Sequence, residues 1–257
     1  MDTTQQNSTA WDQKVEEGSK YTKPVSREVI EKAKKDEWSI SVTTEKQVPR
    51  NWFPESLKDV KILCLASGGG QQAPVLAAAG ADVTVTDISK RQLEQDRNVA
   101  DRDGLSLRIV QGDMTDLSDF EDESFDLIVN PVSNLFVKDV HLVWKEAYRV
   151  LSRGGVLITG FTNPLLWIFD DDKEREGILD VKHSVPSSTL DYMPESDVEA
   201  YIKSNQTIEY AHTLEDQIQG QIDAGFVLNG FYEDDFGGTR ILDNHIKTFL
   251  ATRAVKA

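Results

Sequence analysis

Residues 60–89, VKILCLASGGGQQAPVLAAAGADVTVTDIS, restrict the possible folds more than any other part of the chain. They open with an apolar run, 60–66, of the length of a strand buried on both faces. Ser67, Gly68, Gly69 and Gly70 follow at once, and an alanine-rich segment from Gln72 stops at Gly80, a good residue for ending a helix. A second apolar strand, 82–86, ends at Asp87. Strand, glycine turn, helix, strand and acid in that order open a nucleotide-binding βαβ unit. Glycines admit a ligand close to the backbone, turn and helix amides can cup it, and a carboxylate can accept both hydroxyls of a ribose. Asp87 follows Gly68 by 19 residues, near the separation of ~20 that sets a ribose-binding acid opposite a glycine turn. Gly68, Gly70 and Ala73 also satisfy the GxGxxG/A pattern of a dinucleotide site, so the rest of the chain must decide the ligand.

That remainder alternates. Ser89 and Gln92 form a capping-box pair for a helix running to Asp103 and closed by Gly104. A third strand, 105–110, leads into Gln111-Gly112-Asp113-Met114, and a fourth, 125–129, ends at Asn130-Pro131. Residues 139–151 carry Val140, Val143, Trp144, Ala147 and Val150 on one helical face. A fifth strand, 156–161, follows Gly154-Gly155. This is the pattern of an α/β, doubly wound, Rossmann-like sheet with right-handed crossovers. Regularity lapses over 163–194, which reads as an insertion of the kind that carries binding function. Ser196 and Glu199 then cap a helix to Lys203, and Thr213 caps another with Leu214, Ile218 and Ile222 on one face. Strands at 226–231 and 246–255 lie too close in sequence for a crossover helix and are expected to pair antiparallel. The sheet is therefore expected to be seven-stranded and mostly parallel, with a C-terminal antiparallel hairpin.

Residues 1–54 read as an N-terminal arm and 55–257 as the main domain. The first ten residues are polar and expected to be loose. Pro24 and Ser26 precede a short helix with Val29, Ile30 and Ala33 at helical spacing. Trp11, Tyr21, Trp38, Trp52 and Phe53 either anchor the arm to the core or, for Trp11 and Tyr21, face a ligand beneath a lid.

The chain has 257 residues and a formal charge of −16. Binding phosphate backbones needs clustered Lys and Arg, so nucleic acid is excluded as a partner, and anionic membranes are disfavoured for the same reason. The single cysteine, Cys64, sits inside the first strand as a small buried hydrophobe. No disulfide can form within the chain, and a reduced, cytoplasmic setting is expected. The N-terminus lacks the apolar core of a signal peptide. The histidines and the cysteine have no metal-ligand spacing.

With these motifs assembled, the chain resembles the class I S-adenosylmethionine-dependent methyltransferases of the small-molecule type (methyltransferase domain 11- or 25-like). The resemblance rests on ILCLASGGG, VTVTDIS, VQGDM, FDLIVNPVS and EAYRVLSRGGVLITG, in family order across 60–161. It implies that the turn Ala66, Ser67, Gly68, Gly69, Gly70 passes under the methionine end of S-adenosyl-L-methionine. It also implies that Asp87 accepts the ribose hydroxyls while Ile88 packs on adenine. Gly112, Asp113 and Met114 would meet the adenine, Asp113 accepting from its amino group, and Asn130 would sit beneath the sulfonium. Many members carry an acid where this chain has Cys64 and a glycine where it has Ala66. The added methyl of Ala66 matters little if that position keeps a negative φ. Methyl transfer asks for alignment and desolvation more than covalent help, and a base only if the acceptor arrives protonated. His183, His212, Asp191 and Tyr192 are the candidates for that base. The expected acceptor is a small molecule. Two rivals stand beside this reading: an NAD(P)-dependent Rossmann oxidoreductase using the same turn, and a non-catalytic S-adenosylmethionine-binding protein.

Overall fold

A computed structural model describes residues 2–257. The apolar run becomes β1 (Lys61–Leu65), whose Ile62, Leu63, Cys64 and Leu65 are all buried. It lies between β2 (Asp82–Asp87) and β4 (Phe125–Asn130), parallel to both. With β3 (Arg108–Gln111), β5 (Leu151–Thr162), β8 (Phe226–Asp234) and β9 (Phe249–Lys256), the strand order is β3-β2-β1-β4-β5-β9-β8. As expected, β9 runs antiparallel to both β5 and β8. The order reverses between β1 and β4, so the crevice beyond their carboxyl ends is where an open α/β sheet binds ligands.

Period-two alternation divides the core between the two faces of this sheet. Ile62, Cys64, Val83, Val85, Leu127 and Val129 face the side covered by α3 (Gln72–Ala78) and α4 (Lys90–Asp103), joined there by Ile30 of α2 (Arg27–Ala33). Leu63, Leu65, Ile128 and Leu157 face Val143, Trp144 and Ala147 of α5 (Val140–Val150). At Gly160 a Cβ would lie 2.0 Å from the Val42 carbonyl oxygen. Only glycine there lets the N-terminal arm cross the sheet, and the Val42 carbonyl then accepts the Val132 N–H at 3.0 Å.

Several local expectations need correction. Residues 2–10 are not loose, because α1 spans Thr3–Glu16 and the Asp2 carboxylate accepts the Gln5 N–H at 3.2 Å, while Met1 lies outside the described residues. Ser89 caps α4 by accepting the Gln92 N–H at 3.0 Å, but its own N–H goes to Asp87 Oδ1, which displaces the reciprocal half of the capping box. Ser196 caps nothing, since α7 (Glu195–Lys203) begins before it and its hydroxyl turns to Asp197. Thr213 does cap: it accepts the Asp216 N–H and returns its own N–H to the Asp216 carboxylate, both at 3.0 Å. The face expected beyond it is wrong. A π turn at Glu215–Gln219 shifts the register into α8 (Gly220–Asp223), leaving Leu214 and Ile222 exposed and burying Gln217, Gly220 and Gln221. Tertiary packing sets this choice, because Gly220 lies against the Trp144 ring, where a Cβ would come within 2.9 Å.

Beyond β5 the chain forms α6 (Asp171–Arg175), α7 and the two-residue strands β6 (Ser187–Ser188) and β7 (Tyr210–Ala211). These two strands pair antiparallel, tying the expected insertion to residues well past 194. No helix among the described residues is long and apolar enough to cross a membrane.

Candidate active site

A cavity of about 1180 Å³ opens over the carboxyl ends of the central strands, larger than the ~300–1,000 Å³ of an ordinary ligand site. Its floor comes from the β1–α3 turn, the tip of β2 and the loop after β3. Its roof comes from α1, the Lys20-Tyr21 segment and the region between 162 and 211.

Asp87 ends β2 at the floor, buried. Its Oδ2 accepts the Gly68 N–H at 3.0 Å and its Oδ1 accepts the Ser89 N–H at 2.9 Å. Each oxygen keeps acceptor capacity for a hydroxyl. Burial pushes the carboxyl up to about 6, against the pull of the Ser89 and Gly68 N–H groups. The contact with Gly68 leaves no room for a side chain, since a Cβ would stand 2.7 Å from Gln92 Cβ and 3.1 Å from Asp87 Oδ2.

Ala66, Ser67, Gly68, Asp87, Ile88, Gly112, Asp113 and Met114 all border the cavity. Gly69 and Gly70 do not, and the picture of glycine amides cupping a ligand is corrected accordingly. The Gly68 N–H goes to Asp87, and the Gly69 N–H is shared between Asp96 Oδ2 and the Gln92 carbonyl, each at 3.0 Å. Ala66 also departs from expectation: its φ is +47°, in the left-handed region, where a Cβ costs roughly 1–2 kcal/mol.

Asn130 leaves the set as well. Its side chain is wholly buried: Nδ2 donates to the Leu65 carbonyl at 2.9 Å and to Ser133 Oγ at 2.8 Å, while Oδ1 accepts from Thr159 at 2.9 Å. The amide is saturated in stapling β1, β4 and β5 together, and Pro131, Val132 and Ser133 border the cavity in its place. Asp113 accepts from the Thr115 N–H and hydroxyl through Oδ1, and from the Thr4 hydroxyl of α1 through Oδ2 at 2.9 Å.

The roof is fixed by polar side chains. Buried Asn7 donates to the carbonyls of Phe136 and Ile208, each at 3.0 Å, and accepts the Ile208 N–H at 2.7 Å. Asp12 accepts from the Ser89 hydroxyl and the Arg91 N–H, and Ser8 donates to the Ile88 carbonyl. Trp11 packs edge-on against Phe136, 5.3 Å between centroids. Trp11 and Tyr21 both border the cavity, so the arm anchors and covers at once.

Away from Asp87 the walls are aromatic, with Trp167, Phe169, Phe236 and Phe249, and carry two ion pairs, Asp170 with Lys182 at 2.8 Å and Glu174 with Arg240. Among the proposed bases, His183 and Tyr192 border the cavity and pack with ring centroids 3.9 Å apart at a tilt of 36°. The Tyr192 hydroxyl donates to the Ser184 carbonyl at 2.6 Å. Asp191 lies off the cavity wall, accepting the Ser188 N–H at 2.6 Å. His212 is buried, its Nε2 within 3.1 Å of the carbonyls of Asn134 and Val137, and burial lowers its pKa, so it serves as a neutral donor.

Sequence reasoning passed over Asn7 and the 41–45 crossing, which also borders the cavity. It passed over Asp96 too, although an acid at helical spacing among Leu93, Val99 and Ala100 was a legible signal.

A methyltransferase domain family model matches residues 63–159. The chain is 57% identical to an uncharacterized methyltransferase of Bacillus subtilis (strain 168), YbaJ, over 97% of each chain. It is 36% identical to the demethylmenaquinone methyltransferase of Clavibacter sepedonicus over 40% of this chain and 42% of that one. Its fold is similar to that of an S-adenosylmethionine-dependent methyltransferase from Mesorhizobium loti, with a TM-score of 0.61 and 19% identity over 80% of this chain and 94% of that one. These likenesses favour methyl transfer over the nicotinamide-dependent alternative.

Proposed function

The chain belongs to the class I S-adenosylmethionine-dependent methyltransferases, and on that premise we propose that it methylates a small molecule held in the cavity beside the cofactor. The observation that carries this reading is the cover placed over the site. A cavity of about 1180 Å³ beneath α1 and the 162–211 region exceeds what one ligand needs. A polymer would have to displace both covers, and the charge of −16 repels phosphate backbones. The Clavibacter relative is, by its name, a demethylmenaquinone methyltransferase, and so one that acts on a non-polymeric acceptor, which is consistent with this reading.

The residues suit the cofactor's chemistry. Asp87 would accept the ribose hydroxyls, while Ile88 and Met114 supply apolar surface for adenine. Asp113 and Gly112 would meet the ring edge, and Ala66, Ser67 and Gly68 would lie along the methionine end. When bound, S-adenosylmethionine supplies an electrophilic sulfonium methyl. The protein's part is to fix the approach and keep water out. Trp167, Phe169 and Phe236 would exclude water from the acceptor's side. His183, of the candidate bases, would take a proton from an acceptor that arrives protonated.

Incubating the chain with methyl-labelled S-adenosylmethionine and an extract of its source cells, then fractionating by size and class, tests this. Label is expected in the small-molecule fraction. Label confined to protein or nucleic acid overturns the reading.

A further inference from the structure

Most charged groups on the cavity wall already have partners. Asp170 meets Lys182 at 2.8 Å, Asp172 meets Arg175 at 2.7 Å and Arg240 takes Glu174. Asp87 and Asp113 each accept a backbone N–H. Lys14 and Lys20 lie over the rings of Trp11 and Tyr21, 4.9 and 5.0 Å from the centroids. Glu209 differs. Of the buried or half-buried carboxylates that border the cavity, it alone has neither a cation nor a backbone amide as partner among the described residues.

Its main chain is firmly held. The Thr189 N–H donates to the Glu209 carbonyl at 2.9 Å, and the Glu209 N–H donates to Thr189 Oγ1 at 3.1 Å, beside the β6–β7 pair. Ile208, one residue earlier, is gripped by Asn7 of α1. The Glu209 side chain takes part in none of this. Its Oε1 accepts the Thr207 hydroxyl at 2.9 Å. Its Oε2 accepts no hydrogen bond from any described residue, yet it is not among the unpaired atoms sealed in the interior, so it opens on the cavity. One neutral hydroxyl does not offset the cost of drawing a carboxylate out of water. Burial accordingly raises its pKa, against the pull of the Thr207 hydroxyl and the Lys14 charge. A glutamine would keep the Thr207 contact without that cost, so the acid serves what enters the cavity.

The group that suits such an oxygen is a cation. Trp11, Trp167, Phe169 and Tyr201 wall the same cavity, and the face of an aromatic ring attracts a cation in its own right. We propose that the methyl acceptor carries a basic nitrogen and that Glu209 is the specificity-determining residue that receives its ammonium through the free oxygen. The proposal rests on the small-molecule methyltransferase reading and adds the acceptor's charge to it. An ammonium seated there gains a charge-assisted hydrogen bond. A neutral acceptor of the same size leaves the carboxylate unpaired and an anionic one is repelled, so Glu209 selects by charge as well as by fit.

Wild type and Glu209→Gln are each incubated with methyl-deuterated S-adenosylmethionine and the small-molecule fraction of an extract of the source cells. The isotope marks the product by mass, apart from residual cofactor. Retention on a strong cation exchanger in acid then reads whether that product carries a basic or quaternary nitrogen. Retention is expected, and the initial rate of product formation is expected to fall tenfold or more in Glu209→Gln. Calorimetric titration with S-adenosylhomocysteine is expected to agree within threefold between the two proteins, with thermal unfolding recorded for each. A product that passes through the exchanger overturns the proposal, and does so even if the variant does not fold. An undiminished rate in the folded variant, or a loss of S-adenosylhomocysteine affinity as large as the loss of rate, overturns it too. Transfer of the isotope to no small molecule, with S-adenosylhomocysteine still bound by wild type, instead overturns the reading on which it rests.

Discussion

Below the cavity, β1 and β2 bring buried strands into the sheet that end at Asp87, so that the buried pattern sets where the carboxylate stands and two backbone N–H groups then orient it. Above it, α1 buries only Asn7 and Ala10 and is held by Thr4, Asn7, Ser8 and Asp12 reaching loop backbone and side chains far along the chain. The floor is specified by hydrophobic pattern and the roof by individual hydrogen bonds. The first kind of specification tolerates many substitutions provided the pattern holds. The second fails at single atoms, because each lost partner leaves a buried polar group unpaired.

That contrast can be broken at several points. The largest effect is expected at the floor. Asp87→Ala removes a bidentate, charge-assisted grip on the ribose and also frees the Gly68 and Ser89 amides, so S-adenosylmethionine affinity should fall by at least ~2 kcal/mol. Wild-type affinity in that variant, measured by calorimetry, would count against the ribose assignment. Next comes the roof. Asn7→Ala strands two carbonyls and one N–H, and denaturant unfolding should show a loss of about 2 kcal/mol. A loss below ~0.5 kcal/mol would mean that α1 rests on the domain without being bound to it.

A smaller effect sharpens the account of the floor. Asp87 and Asp96 both have folded pKa values raised by burial, to about 6 and about 8. The folded state thus holds their protons more tightly than the unfolded chain, whose carboxyls titrate near ~4. Their contribution to stability is full below about pH 4 and is lost as pH rises toward 8. Asp170, lowered to about 2 chiefly by its hydrogen bond with Lys182, acts in the opposite sense but only below that window. Buried His212, its pKa lowered, opposes the decline below its unfolded value near ~6.5 without matching two raised carboxyls. The melting temperature of the ligand-free protein should therefore decline between pH 5 and 8, and Asp96→Asn should flatten the upper part of the decline. A melting temperature that rises across this range would contradict the buried, raised carboxyls. The smallest effect belongs to Ala66→Gly. It relieves a left-handed Cβ but adds freedom to the unfolded chain, for a net gain in stability of up to ~1 kcal/mol by denaturant unfolding. A net loss would show that the methyl packs usefully.

How much of this was legible follows the same division. The sheet, the helices at 72–78, 90–103 and 140–150 and the antiparallel closing pair can be read because each buries one face of a periodic pattern. Asp87 is legible because the acid terminates such a pattern. Asn130 misleads: Asn before Pro at a strand end reads like a site residue, yet its amide is saturated by Leu65, Ser133 and Thr159. The helix after Thr213 misleads because Gly220 must pass beneath Trp144, a tertiary demand with no periodic signature. For α1 there is no apolar stripe to find, and its order comes from partners such as Phe136 and Ile208 that only the fold brings near.

The central claim is that the cavity over β1 and β2 grips an adenosyl cofactor by its sugar. Co-crystallisation with S-adenosylhomocysteine tests it most directly. The account predicts both ribose hydroxyls within hydrogen-bond distance of the Asp87 carboxylate and the adenine between Ile88 and the Gly112-Asp113-Met114 loop. A ligand seated elsewhere, or an Asp87 that bonds only the Gly68 and Ser89 amides while the ribose lies beyond its reach, would contradict it.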